Sequence, residues 1–209
     1  MKVENKIKRI TSLYESCNNC GLPTINCICN KVTTVETKAK IWILSSQKEL
    51  TRASNTARIL KLVNGYSTEI FTWERTNQPV DLIKKINSNE YDVYLLFPVN
   101  DENRSREVKF VKSKKTPAFI IIDGTWNEAK KIFRKSPYLN EVPMLTLKPE
   151  NNSSFILRRG IEEGSLCTIE TAIEVLKMNG EKREANDINS TFSLFQENYK
   201  CGLSGHIAK

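Results

Sequence analysis

Histidine is almost missing from this chain: among 209 residues the only one is His206, close to the carboxyl terminus. Nucleophilic catalysis of the Ser/His/Asp or Cys/His kind needs an imidazole beside the nucleophile, so that chemistry is close to excluded. No GxxxxGK[ST] loop occurs, which removes the phosphate cradle of a P-loop ATPase, and no GxGxxG follows the first expected strand, which disfavours a dinucleotide-binding domain. Long apolar runs are missing too. Phe119–Ile122 and Tyr94–Val99 are the longest, far below the roughly 20 residues of a membrane-spanning helix. Lys2, Lys6, Lys8 and Arg9 near the start are followed by no apolar stretch, so no secretory signal is expected. A cytoplasmic location is the expectation, and there thiols stay reduced.

Acidic residues are outnumbered, 24 against 32 lysines and arginines, giving a formal net charge of +8. Such a surface attracts polyanions by counterion release, which makes nucleic acid the leading partner class, ahead of an anionic membrane. A merely soluble basic protein is the plainer alternative. With 39% hydrophobic and 27% charged residues, the chain has ordinary means to bury one core with some length left for an appendage.

Two textures divide the chain. Residues 1–38 hold four cysteines and a polar tail, and read as a small cysteine-rich segment; residues 39–209 alternate strands and helices. Ile41–Leu44 reads as a buried strand, Asn55–Val63 as a helix, Glu69–Trp73 as a strand, Asp81–Ile86 as a helix and Val93–Phe97 as a strand. Ala118–Ile122, preceded by Pro117, is the strongest strand signal; a continuous apolar run is what a parallel strand covered on both faces requires. A basic helix follows, then an expected strand over Val142–Leu147. Two closing helices carry the stripes Ile169, Ala172, Ile173, Leu176 and Ile188, Phe192, Phe195, Tyr199. The alternation predicts an α/β fold with a mostly parallel sheet flanked by helices.

Cys17-x-x-Cys20 and Cys27-x-Cys29 are separated by six residues that include Gly21 and Pro23. Two close thiol pairs on turns suit one tetrahedral zinc ion. A redox CxxC and unligated thiols are the alternatives, and a reducing compartment argues against two disulfides. A closed four-thiolate site has no open position for substrate, so the expected role is structural.

Asp123-Gly124-Thr125-Trp126 lies where the most apolar strand should turn into a helix. Ligands of parallel α/β sheets gather at the carboxyl ends of strands. Gly124 permits close backbone approach, and Thr125 with Glu128 forms a capping box whose helix N-terminus offers free N–H groups. The structural readings are that Thr125 only caps, Trp126 only packs, and Asp123 only braces a loop. Along the following helix Lys130, Lys131, Arg134 and Lys135 form a face without an acid, which fits RNA or phosphate.

These residues resemble the DTW-domain proteins, the tRNA-uridine aminocarboxypropyltransferases. Beyond Asp123-Gly124-Thr125-Trp126 the resemblance takes in both cysteine pairs, Ser54-Asn55-Thr56, Trp73 with Arg75-Thr76, and Phe97-Pro98. It continues through Arg134-Lys135-Ser136-Pro137-Tyr138-Leu139, Leu157-Arg158, and Cys167-Thr168 with Glu170, and so spans Cys17 to Met178. It implies transfer of the 3-amino-3-carboxypropyl group of S-adenosylmethionine to N3 of a uridine in tRNA, on a core related to the knotted SPOUT-type fold. Asp123 is then the candidate general base, with an orienting role as the alternative. Ser54, Asn55, Arg75, Phe97, Pro98, Gly124, Thr125, Trp126, Cys167, Thr168 and Glu170 join it as candidate cofactor contacts, with Arg75 the candidate for the transferred group's carboxylate. Arg158 and Arg159 join the basic helix as candidate tRNA contacts. An S-adenosylmethionine-dependent RNA methyltransferase and a non-catalytic zinc-containing RNA-binding module are the competing readings.

Overall fold

Ile41, Trp42, Ile43 and Leu44 are all fully buried. That is possible only if both faces of their strand are covered, and a computed structural model of the chain describes how, for residues 15–147, 153–155, 166–204 and 206. Strand β1 (Lys40–Ser46) is followed by a single turn, α1 (Gln47–Leu50), and by α2 (Thr56–Val63). Next come β2 (Thr68–Trp73), α3 (Val80–Ile86), β3 (Tyr91–Leu96), β4 (Thr116–Asp123) and α4 (Trp126–Arg134). The chain continues through β5 (Met144–Leu145), α5 (Thr168–Asn179) and α6 (Lys182–Ser204).

The strands form one sheet in the order β2-β1-β4-β3-β5, and every pairing is parallel. Alternation along β1 and β4 then sorts the side chains. Ile41, Ile43, Phe119 and Ile121 join a core built with α2, α5 and α6, while Trp42, Leu44 and Ile120 join a second core with α3 and α4. Each large side chain buried this way contributes about 1.5–3 kcal/mol. The expected stripes hold: Ile169, Ala172, Ile173 and Leu176 of α5, and Ile188, Phe192, Phe195 and Tyr199 of α6, are buried in the first core. Cys20, Leu22 and Ile28 belong to that same core, so the cysteine segment packs on the sheet's helical layer.

Two details depart from expectation. The strand over Val142–Leu147 narrows to Met144–Leu145. Pro143 has no N–H to pair, and its carbonyl instead accepts from Leu95 N–H at 2.8 Å. The turn α1 carries no clear signal in the sequence; the Ser46 hydroxyl caps it by accepting from Glu49 N–H at 3.3 Å. Beyond β1 the chain leads to β2 on one side of the sheet, and beyond β4 it leads to β5 on the other. The carboxyl ends of β1 and β4 therefore flank the sheet's topological switch point, where ligands of such sheets commonly gather.

Candidate active site at the carboxyl ends of the strands

Asp123 is the last residue of β4 and lies in register with Ser45 of β1. Its side chain shares a face with Phe119 and Ile121, toward α2 and α5, and is only 5% exposed. A carboxylate has about four acceptor positions, and here three donors converge on them. The Ser45 hydroxyl and the Asn55 amide each donate to Oδ2 at 2.8 Å, and the Thr168 hydroxyl donates to Oδ1 at 2.5 Å. Asn55 is the N-cap of α2: its Oδ1 accepts from Arg58 N–H at 3.0 Å, which fixes its NH2 toward Asp123. Thr168 opens α5, and Ile169 N–H beside it reaches the Thr56 hydroxyl at 3.4 Å. The negative charge thus faces the N-terminal ends of two helices, the ends that favour an anion.

One residue later the geometry reverses. Gly124 has a φ of 155°, and a Cβ there would stand 3.2 Å from Glu128 Cβ. The turn into α4 is closed by the expected capping box: Thr125 N–H donates to Glu128 Oε2 at 3.0 Å, and Glu128 N–H to Thr125 Oγ1 at 3.4 Å. Burial alone would raise the Glu128 carboxyl, but the hydrogen bonds from Thr125 and the Arg52 and Lys48 charges hold it below its ordinary value.

Gly124 also borders a pocket of about 180 Å³ lined on the sheet side by Phe97, Pro98, Ile122 and Leu145. Leu96 of β3 and Ile121 of β4, Trp126 and Ala129 of α4, Thr146 and Leu147 after β5, and Leu166 and Thr171 around the start of α5 complete it. Phe97, Pro98, Gly124 and Trp126 are candidates from the sequence; Thr146, Leu147, Leu166 and Thr171 are not. Trp126 is 38% exposed and stacks on Phe97 with ring centroids 5.4 Å apart. Phe97 stacks in turn on Phe133 at 4.5 Å, and the Arg106 guanidinium covers Phe133.

The other sequence candidates fall elsewhere. Asn55 and Thr168 meet Asp123, which is not among the residues lining the pocket. Cys167 is buried in the core, where burial raises its thiol well above the ordinary value. Glu170 accepts from Ser153 Oγ at 2.6 Å, Ser154 N–H at 2.7 Å and Cys167 N–H at 2.9 Å. Burial opposes its charge, but these donors prevail and keep its carboxyl below the ordinary range. The Ser54 side chain lies beside the Tyr199 hydroxyl. Arg75 is exposed just past β2, the edge strand on the far side of β1 from the pocket. Lys130, Lys131, Arg134 and Lys135 are exposed, and among the described residues none of them forms an ion pair. Lys130 lies 4.7 Å from the Trp126 ring centre and Lys131 5.8 Å from that of Trp73. Arg158 and Arg159 lie outside the described residues.

Cys17, Cys20, Cys27 and Cys29 gather their sulfurs within 4.8 Å of one another. Cys17 and Cys29 are 3.6 Å apart, and Cys20 and Cys27 are 3.8 Å apart. Four thiolates at about 2.3 Å around one tetrahedral zinc stand roughly 3.8 Å from each other, so the set fits that ion. Burial pushes the Cys17 thiol up, but the backbone N–H groups of Cys20 and Asn19 and the adjoining thiols bring it to about 7. Gly21 adopts φ 76° in the turn between the pairs, with the Arg58 guanidinium against its Cα.

An all-parallel sheet with an apolar crevice at the carboxyl ends of β3, β4 and β5, an exposed tryptophan in the crevice wall and a basic helix beside it defines an α/β protein of the class whose ligands gather at strand ends. The family follows from comparison. A model described as the DTW domain matches residues 14–200, a span that takes in Cys17, Cys20, Cys27 and Cys29, and the chain belongs to this family. It is similar to the tRNA-uridine aminocarboxypropyltransferase 2 of Drosophila melanogaster, 30% identical over 168 residues. That alignment covers 77% of this chain and 64% of the relative. No solved structure matches.

Proposed function

We propose that this protein transfers the 3-amino-3-carboxypropyl group of S-adenosylmethionine to N3 of a uridine in tRNA. The family match together with the named relative carries this reading, and the pocket at the strand ends is where such a donor belongs. In the reaction the N3–Cγ bond forms as the S–Cγ bond breaks, and the bonding pair goes to sulfur and neutralises the sulfonium. Methylthioadenosine leaves, and the N3 proton passes to solvent. The donor's sulfur carries three electrophilic carbons, so the pocket's work is aiming Cγ at the nitrogen. The apolar walls formed by Phe97, Leu145, Leu147 and Leu166 suit the donor's apolar parts and exclude water. The SPOUT-type relation belongs to the same reading, with its cofactor site toward the carboxyl end corresponding to Leu147 and Leu166–Thr171.

Lys130, Lys131, Arg134 and Lys135 form the tRNA surface, with Trp126 at its border with the pocket. The absence of acids among them and of ion pairs to them among the described residues supports this. Cys17, Cys20, Cys27 and Cys29 hold one zinc, which supplies structural cross-linking of the 1–38 segment and takes no part in transfer. Metal analysis of protein purified without chelator should find about one zinc per chain, and none would remove the site. The same four side chains also anchor the segment to the domain of residues 39–209.

Incubation of purified protein with tRNA and S-adenosylmethionine, followed by nucleoside mass spectrometry, tests the function. Aminocarboxypropyl-uridine with methylthioadenosine is the expected result. Methyl-uridine with S-adenosylhomocysteine would make the protein a methyltransferase, and tight tRNA binding without modification would make it a binding module.

A further inference from the structure

We infer that Asp123 is a positioning residue whose carboxylate clamps the starts of α2 and α5 to the ends of β1 and β4, and that it does not take the uridine proton. The inference rests on the transfer reading above and assigns the role of one residue within it. Three of the carboxylate's acceptor positions are filled by Ser45, Asn55 and Thr168. Each donor comes from a different element, so one side chain joins three segments separated by 78, 68 and 45 residues. The carboxylate is 5% exposed and is not part of the pocket's lining. A general base must come within hydrogen-bond reach of the proton it removes; this one is enclosed by its own three donors. The clamp reaches the pocket through its neighbours. Thr168 is held by Asp123, and Leu166 two residues before it and Thr171 three residues after it are pocket walls, as is Gly124. Loosening the clamp therefore displaces walls on both sides of the donor.

An exchange of groups separates the roles. In Asp123→Asn the amide presents donors to donors, whereas the double exchange Asp123→Asn with Asn55→Asp restores one donor–acceptor pair and moves the carboxylate to residue 55. Aspartate caps α2 as well as asparagine does, and the hydroxyls of Ser45 and Thr168 rotate to suit either partner. The clamp predicts that Asp123→Asn weakens S-adenosylmethionine binding about tenfold, the scale of one hydrogen bond to a charged group, and slows transfer about 100-fold. The double exchange should recover most of both losses. Retained donor affinity in Asp123→Asn beside a 100-fold rate loss would overturn the clamp, as would a double exchange that binds donor normally yet stays as slow as the single variant. Thr168→Val decides the matter if the double exchange does not fold: weakened donor binding supports the clamp, and wild-type binding contradicts it. Wild-type protein in the same assays keeps the two readings apart, because failure to modify tRNA counts against the transfer reading alone. The clamp is then judged by melting temperature, which Asp123→Asn should lower and the double exchange should restore; a double exchange that melts no higher than the single variant would reject it.

Discussion

Asp123 and Trp126 stand three residues apart and inhabit opposite surroundings. The aspartate is enclosed, hydrogen-bonded at both oxygens and turned toward α2 and α5. The tryptophan is 38% exposed, stacked on Phe97, and part of a pocket wall. Gly124 makes the change of direction possible, and the Thr125–Glu128 capping box fixes it. A four-residue signature in a sequence looks like one functional unit. In three dimensions its first residue is tied into the scaffold by three hydrogen bonds and its last lines the pocket.

Variants can break that division. The largest effect is expected for Asp123→Ala, which leaves three donors facing a void. It should lose about 3–5 kcal/mol of stability in urea unfolding along with measurable transfer. A stable, inactive variant would mean that the scaffold does not need the carboxylate. Trp126→Ala should behave in the opposite way, with stability within about 1 kcal/mol of wild type and kcat/KM reduced roughly 10- to 30-fold, since the side chain is partly exposed and its loss opens the pocket. Equal damage to stability would put Trp126 in the scaffold with Asp123.

Smaller effects sharpen the same boundary. Replacing Lys130 and Lys131 together by alanine should weaken tRNA binding and lower the slope of log K against log salt by about 2, one for each phosphate that is no longer neutralised. An unchanged slope would move the RNA surface elsewhere. Glu170 gives a pH test on the scaffold side. Its carboxyl is depressed in the folded protein, so its stabilising contribution is complete above the ordinary value of 4.5 and is lost as pH falls through the folded value. The melting-temperature gap between wild type and Glu170→Gln should be wide at pH 7 and close below pH 4.5. A gap independent of pH would mean that the charge itself does not hold Ser153 and Ser154.

Much of the scaffold is legible along the chain. Ile41–Leu44 and Ala118–Ile122 are apolar without interruption because parallel strands are covered twice, and the stripes of α5 and α6 follow helical spacing. Pro143 shortens a strand that apolar content alone extends. The pocket is legible only in part, because its walls come from the ends of β3, β4 and β5 and from the start of α5, and no local pattern says that Leu147 faces Leu166. Asn55 and Thr168 stand where ligand contacts are expected, yet their side chains close on Asp123. Ser45 carries no mark in the sequence alone. A hydroxyl ending an apolar strand, in register with a carboxylate ending its neighbour, becomes a signal only once the strands are paired. No helix among the described residues is long and apolar enough to cross a membrane, in line with the short apolar runs.

The central question is which carbon of the donor reaches the uridine. S-Adenosylmethionine carrying one isotope in its methyl group and another at its amino nitrogen, supplied with tRNA and the purified protein, reads this directly. The prediction is that uridine acquires the amino-nitrogen label and the methyl label leaves with methylthioadenosine. Uridine bearing the methyl label without the nitrogen label would contradict it.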